Sequence, residues 1–483
     1  MNLTTRRDFL KSAGAGLAAL SLTGRLGFAA AGNDKPPNIL VAIADDWSWP
    51  HASIAGARVI KTPVFDRIAR EGVLFRNAFV SAPSCTPSRA SLLTGQWFWR
   101  LKEAADLYST LLAEFPVYPD LLEAEGYYVG YSRKGWEPGD EVDRKRNPAG
   151  PQFRNFPDFL KRRPKEKPFC FWFGSTDPHR PYRRGTGIKS GMDPAAVEVP
   201  PHLVDHKWTR GDICDYYFEV QRFDREVGER LRMLEENDEL ENTIVIMTSD
   251  NGMPFARCKS NLYDLGTHVP LAVRWGKRIK PGRVVDDFVS LCDLAPTFLE
   301  AAGLKPTKDM TGRSLMPVLT SDKSGTVDAA RDHVLTGKER HFPYRGGKMA
   351  GYPMRAIRTE KHLYIRNFKP DRWPAGDPLE PKSGRRYGDV DDGPAMWALR
   401  SLGKKPEFRH LHQLSYGKRP AEELYDLKAD PAQMNNVADK PKYAAVKAKL
   451  SARLVAELVA TRDPRILGKG DAFDTYPWRR KPW

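Results

Sequence analysis

Four short runs in this 483-residue chain are apolar on both faces, and each stops abruptly in charged or amide side chains. Asn38 to Ala44 ends in Asp45-Asp46, and Gly126 to Tyr131 runs on into Arg133-Lys134. Pro168 to Gly174 leads to Asp177-Pro178-His179, and Thr243 to Thr248 leads to Asp250-Asn251-Gly252. A strand with apolar side chains on both faces must be covered on both sides, which is the condition of a largely parallel sheet between helix layers. Helical stretches separate the runs. Thr62-Pro63 opens one as cap and first-turn proline, Gly72 closes it, and another spans Asp212 to about Glu235. The expected fold is therefore α/β. In such folds functional side chains gather outside the carboxyl ends of the strands. Asp45, Asp46, Lys134, His179, Asp250 and Asn251 are expected to share one cleft.

After about residue 345 the pattern changes. Met354 to Phe368 alternates as an antiparallel strand, Glu423 to Leu427 forms a second, and Tyr443 to Thr461 is an amphipathic helix. A smaller α+β subdomain with an antiparallel sheet is expected over 346–483, after a main domain over 32–345. Residues 1–31 read as an address: Thr5-Arg6-Arg7-Asp8-Phe9-Leu10-Lys11 is a twin-arginine pattern, followed by a small apolar run and Ala29-Ala30-Ala31. This predicts passage through a twin-arginine (Tat) translocase and a periplasmic or secreted mature protein. No later run approaches the roughly 18 apolar residues of a membrane span.

The formal net charge of +16 points to an anionic partner. Lys and Arg are dispersed along the chain, with only short clusters such as Arg144-Lys145-Arg146, so a polyanionic substrate fits better than nucleic acid. Five cysteines without a C-x-x-C pair exclude a disulfide scaffold and a zinc ribbon. Cys170 and Cys292 lie in apolar runs and read as buried thiols. The sequence leaves oligomeric state open.

Cys85 has a different context. In Ser84-Cys85-Thr86-Pro87-Ser88-Arg89-Ala90-Ser91-Leu92-Leu93-Thr94-Gly95, Thr86 suits a helix cap, Pro87 the first position and Gly95 the stop. Cys85 is then expected at the positive end of a helix dipole, with Arg89 four residues on and on the same face. This stretch resembles the formylglycine motif of type I sulfatases, of the alkaline phosphatase superfamily. Asp45-Asp46, Asp250-Asn251-Gly252, Lys259 to Pro270 and the late Glu423-Leu424-Tyr425-Asp426-Leu427 extend the resemblance from Pro37 to about Pro441.

The resemblance implies an alkaline-phosphatase-like sandwich and a sulfated sugar or oligosaccharide as substrate. It also implies a maturation enzyme that oxidises Cys85 to 3-oxoalanine (formylglycine), whose hydrate attacks sulfur. Asp45, Asp46, Asp250 and Asn251, with position 85 itself, are implied ligands of Ca2+. Lys134 and Lys259 are implied on the sulfate, with Arg89 behind position 85 and His179 as the acid for the leaving atom. Arg180, His268 and Arg355 are expected to bind substrate. Asp177-Pro178-His179-Arg180, Ser249 to Phe255 and Tyr352-Pro353-Met354-Arg355 look most like N-sulfoglucosamine sulfohydrolases (heparan sulfamidases), a subgroup that also resembles enzymes for algal polysaccharide sulfates. One departure stands out. The family commonly has a histidine two residues after the lysine, and here Lys134-Gly135-Trp136 has none, leaving Glu137 or His51 as substitute bases. Two rival readings are a phosphate ester hydrolase and a glycan-binding relative that has lost turnover.

Overall fold

The structure, a computed structural model, describes residues 35–479, so the twin-arginine segment lies outside it. From Pro37 onward the chain forms one compact unit. Its centre is a seven-stranded sheet of β1 (Asn38–Ala44), β2 (Val73–Phe79), β3 (Tyr128–Arg133), β4 (Phe169–Gly174), β5 (Thr243–Ser249), β6 (Leu271–Arg274) and β7 (Arg283–Ser290). The strand order is β3-β4-β1-β5-β6-β2-β7. All pairings are parallel except those of β6 with β5 and β2. The expectation of a mostly parallel sheet holds, with β6 making it mixed.

Alternation along β1 explains why both faces are apolar. Leu40, Ala42 and Ala44 join Phe171, Phe173 and Met247 in one core. That core is covered by helix α1 (Pro63–Arg70), through Phe65 and Ile68, and by a 30-residue helix (Lys207–Glu236), through Ile213, Val220 and Phe223. Ile39, Val41 and Ile43 point the other way, into a second core with Trp172, Ile244 and Ile246. Leu92 and Leu93 of α2 (Cys85–Thr94) close that side. Neither layer can be removed without exposing one face of β1.

The long helix, α3, begins at Lys207, five residues before the predicted Asp212, because the His206 side chain accepts a hydrogen bond from Trp208 N and caps it. At α1 the Thr62 side chain bonds Asp66 and Ser53 instead of the helix backbone.

A four-stranded antiparallel sheet, ordered β13-β12-β11-β8, packs beside the main one. It comprises β8 (His333–Lys338), β11 (Met354–Thr359), β12 (His362–Asn367) and β13 (Glu422–Asp426). Between β8 and β11 lies a two-residue ladder, β9 (Tyr344–Arg345) with β10 (Lys348–Met349). Met354 to Phe368 is thus a hairpin of two strands rather than the single strand expected. The sheet also draws β8 from upstream of position 346, where the second region was expected to open. Helix α4 (Pro394–Leu402) leads on to the last helix, α5 (Ala444–Ala460). The latter lays Leu450, Leu454 and Leu458 against Leu335, Ile357, Tyr364 and Leu424.

Leu454 is fully buried at the centre of that contact. Leu454→Ala should cost about 2–5 kcal/mol by transfer and cavity formation, read from the denaturant midpoint. A loss under about 1 kcal/mol would show that α5 is not integral to the unit.

Candidate active site

β3, β4, β1 and β5 are neighbours, and their carboxyl ends deliver Lys134, His179, Asp45-Asp46 and Asp250-Asn251 to one place. Two close approaches shape it. Lys134 N donates to Gly174 O, and a Cβ on Gly174 would lie 1.6 Å from Lys134 O, so only glycine can end β4 there. Asp46 has a positive φ of 83°, a conformation that costs energy outside glycine, and its N–H is held by Asp250 Oδ1 at 3.1 Å.

α2 enters from the other side. It starts at Cys85 with Ser84 as N-cap, so Thr86 is not the cap expected; its hydroxyl donates instead to Pro138 O. Ser84 makes no side-chain cap either, since its Oγ lies 2.8 Å from His341 Nδ1. The first amides of α2 are therefore not satisfied by a capping side chain, and they favour negative charge. Gly95, at φ 65°, ends the helix as expected.

Cys85 Sγ lies 3.4 Å from Asp45 Oδ1 and is buried. Ligand atoms of Asp45, Asp46, Cys85 and Asp250 all lie within 4.8 Å of one another, as do those of Asp45, Cys85 and His179. Cations clamp this acidic group. Lys134 Nζ donates to Asp45 Oδ2 at 2.5 Å, Lys259 Nζ to Asp46 Oδ2 at 2.8 Å and Arg89 Nε to Asp250 Oδ2 at 2.8 Å. Arg89 also bonds the carbonyls of Lys134 and Gly135.

The charges respond to burial. Desolvation pushes the Asp45 carboxyl up, but Lys134, His179, Arg89 and Lys259 overcome it and hold it well below the usual carboxylate range. Desolvation wins at Asp46, which rises to about 6 despite Lys259 and His179, helped by the neighbouring Asp45 and Asp250 charges. Burial pulls the Lys134 ammonium down, but Asp45, Cys85 and Asp250 together outweigh that cost and raise it to about 12. Burial drives the Cys85 thiol well above its ordinary value even with Lys134 and Lys259 nearby. His179 Nδ1 lies 2.5 Å from Arg180 O, which fixes the proton on Nδ1 and leaves Nε2 as the nitrogen able to carry another.

The acidic group suits a hard cation. It offers carboxylate and amide oxygens only, apart from position 85, and Asn251 Oδ1 is buried without a hydrogen-bond partner. A cation there would favour the ionised form of Asp46, which burial and then the neighbouring carboxylates disfavour.

Three expected substrate-binding residues turn inward. Arg355 is fully buried and bonds Asp463 and Glu339 through charged pairs, with Phe98 and Trp99 against its guanidinium. Arg180 forms a two-point ion pair with Asp212, at 2.9 and 2.7 Å, and bonds Pro254 O. His268 stacks on Phe79 and its Nε2 bonds Arg76 O, a carbonyl of β2. Each has a partner distant in sequence. At the place of the usual histidine, Trp136 is fully buried in the second core. His51 bonds Tyr216, and burial lowers its pKa to about 3; Glu137 keeps a buried Oε2 without a hydrogen-bond partner.

Sequence reasoning missed two residues. Asp391 brings a carboxylate within 4.8 Å of Asp46 and His179 ligand atoms, and His341 lines the same end of α2. His341 had a signal, because β8 also stops in a charged run, Lys338-Glu339-Arg340-His341. Asp391 had none in its loop. All five cysteines are free and buried.

A sequence model of the sulfatase family matches residues 37–147 and 151–304, and one for the N-sulphoglucosamine sulphohydrolase C-terminal region matches 257–379. The chain belongs to the sulfatase family. It is a sulfuric ester hydrolase of type I, with the alkaline-phosphatase-like fold. The human N-sulphoglucosamine sulphohydrolase is 29% identical over 89% of this chain and 91% of its own. An ulvan-active sulfatase of Formosa agariphila is 27% identical over 86% and 78%. A structure solved with its substrate D-glucosamine-2-N,6-O-disulfate superposes with a TM-score of 0.63 at 21% identity, over 89% of this chain and 99% of that one.

Arg355→Ala should destabilise the sulfatase by about 3–5 kcal/mol, because buried Asp463 loses its ion-pair partner and Glu339 is left with Arg465 alone. The fraction that stays folded should keep its KM. A raised KM at full stability would return Arg355 to the substrate.

Proposed function

We propose that this sulfatase depends on formylglycine at position 85 and on Ca2+, and that it removes sulfate from a sulfated amino sugar, with N-sulfoglucosamine favoured. The observation that carries the reading is the state of Cys85. A buried thiol pushed far above neutral pH is no thiolate nucleophile, although helix and lysines surround it with positive potential. A hydrated aldehyde at this position would supply a neutral oxygen nucleophile that the same surroundings activate.

Calcium would be held by Asp45, Asp46, Asp250 and Asn251 together with position 85, and would polarise sulfate oxygen. The chain's own groups do the rest. Lys134 and Lys259 are fixed by Asp45 and Asp46 and present ammonium hydrogens to the sulfate oxygens as charge builds on them. Arg89 holds Asp250 in place from beneath. His179 delivers a proton from Nε2 to the departing nitrogen or oxygen as its bond to sulfur breaks. The likeness to the human sulphohydrolase, over nine-tenths of both chains, supports the N-sulfate. The likeness to ulvan-active enzymes supports O-sulfate on an algal polysaccharide as the second reading. The twin-arginine pattern supports action outside the cytoplasm.

The peptide containing position 85, from protein purified out of its native host, should be lighter than its cysteine form by about 18 Da, the difference between thiol and aldehyde. An unmodified thiol in active enzyme would refute this nucleophile. Ca2+ at about 100 times its dissociation constant should add about 2.7 kcal/mol to stability, lost in Asp250→Ala. Chelation should stop turnover; equal activity with and without chelator would remove the metal from the mechanism.

A further inference from the structure

The cleft wall opposite β1 comes from the loop before α4, and it carries a carboxylate that the sulfate chemistry does not use. Asp391 Oδ2 is buried, has no hydrogen-bond partner and lies 3.5 Å from Lys259 Nζ. Lys259 already has a nearer counter-charge, Asp46, at 2.8 Å. The Asp391 side chain is nonetheless 25% exposed, and since Oδ2 is buried this open side is the one turned away from Lys259.

The loop is rigidly placed. Asp389, two residues earlier, is buried and accepts from Lys338 Nζ at 2.5 Å, Arg345 Nη2 at 2.6 Å and Phe342 N at 2.9 Å. Two strands, β8 and β9, and the loop between them thus hold Asp391 beside His179 and Asp46. A carboxylate at the mouth of a sulfate pocket repels the substrate's charge, so a pocket for sulfate alone is better without it. A fixed acceptor with an unfilled oxygen has a use where the substrate presents a hydrogen to it.

We propose that Asp391 binds the sugar that bears the sulfate, the carboxylate oxygen turned away from Lys259 accepting a hydrogen bond from a hydroxyl or amino hydrogen of that sugar. This rests on the sulfated-sugar reading above and names the part of the substrate that the C-terminal region recognises. Lys134 and Lys259 grip the sulfate, and Asp391 grips what remains after it leaves.

The test compares matured, calcium-loaded wild type with Asp391→Ala and Asp391→Asn on glucosamine N-sulfate and on 4-methylumbelliferyl sulfate, which has no sugar hydrogens to donate. In Asp391→Ala the ratio of kcat/KM, sugar over aryl sulfate, should fall about 10- to 100-fold, the worth of a hydrogen bond to a charged group. Asp391→Asn keeps an acceptor oxygen, so it should restore most of the ratio for a hydroxyl and little for an ammonium. An unchanged ratio, with both substrates losing equally, would mean that Asp391 only balances charge, and would overturn the proposal. Calorimetry with free glucosamine and with glucose separates this from the choice of sulfate. Wild type should bind one of them more tightly than Asp391→Ala does. Equal affinities overturn the proposal, and binding without N-sulfate turnover condemns the N-sulfate reading alone.

Discussion

Three carboxylates within reach of one another, sealed from water at the end of a sheet, would not remain ionised unaided. The surroundings of Asp45, Asp46 and Asp250 follow from that constraint. Each carboxylate has its own cation, from Lys134 on β3's end, Lys259 on a loop and Arg89 on α2. These cations come from three separate segments, so the acidic group also ties the sheet to the helix that carries position 85. Removing one cation would leave a buried charge unpaired, which is among the costliest defects a fold can carry.

The C-terminal region is therefore more than an appendage. Its own charges are buried in the same manner, with Lys338 and Arg345 on Asp389, and Arg355 between Glu339 and Asp463. These pairs stiffen a sheet of only four strands. They let an irregular loop bring Asp391 to the cleft at a set position, which a loop held by apolar contacts alone would do less well.

Much of this was legible in the sequence where the signal is local. Asn38 to Ala44 reads as a doubly buried strand because every residue in it is apolar or an end-capping amide, and it is one. The polar residues that end four such runs do meet, since parallel strands must point their carboxyl ends the same way. The partners of Arg180, His268 and Arg355 were not legible for one reason. An arginine looks the same in sequence whether it faces solvent or a carboxylate 108 residues away, as Arg355 faces Asp463. Asp391 was invisible for the same reason, because its meaning lies in Lys259 and His179. Thr86 and Ser84 are both candidates for one cap position, and the hydrogen bonds of Ser84 to His341 and of Thr86 to Pro138 O explain why neither side chain fills it.

The burial of Cys85 also sets an order of events in time. The pocket around its sulfur closes only when β1 has paired with β4 and β5, strands about 130 and 200 residues further along the chain. Once that has happened the residue is 2% exposed and the sulfur lies behind carboxylates and lysines. Any enzyme that is to oxidise it must find it earlier, on a chain that has not finished folding. The compactness that protects the finished site would thus make such an oxidation a race against the chain's own folding.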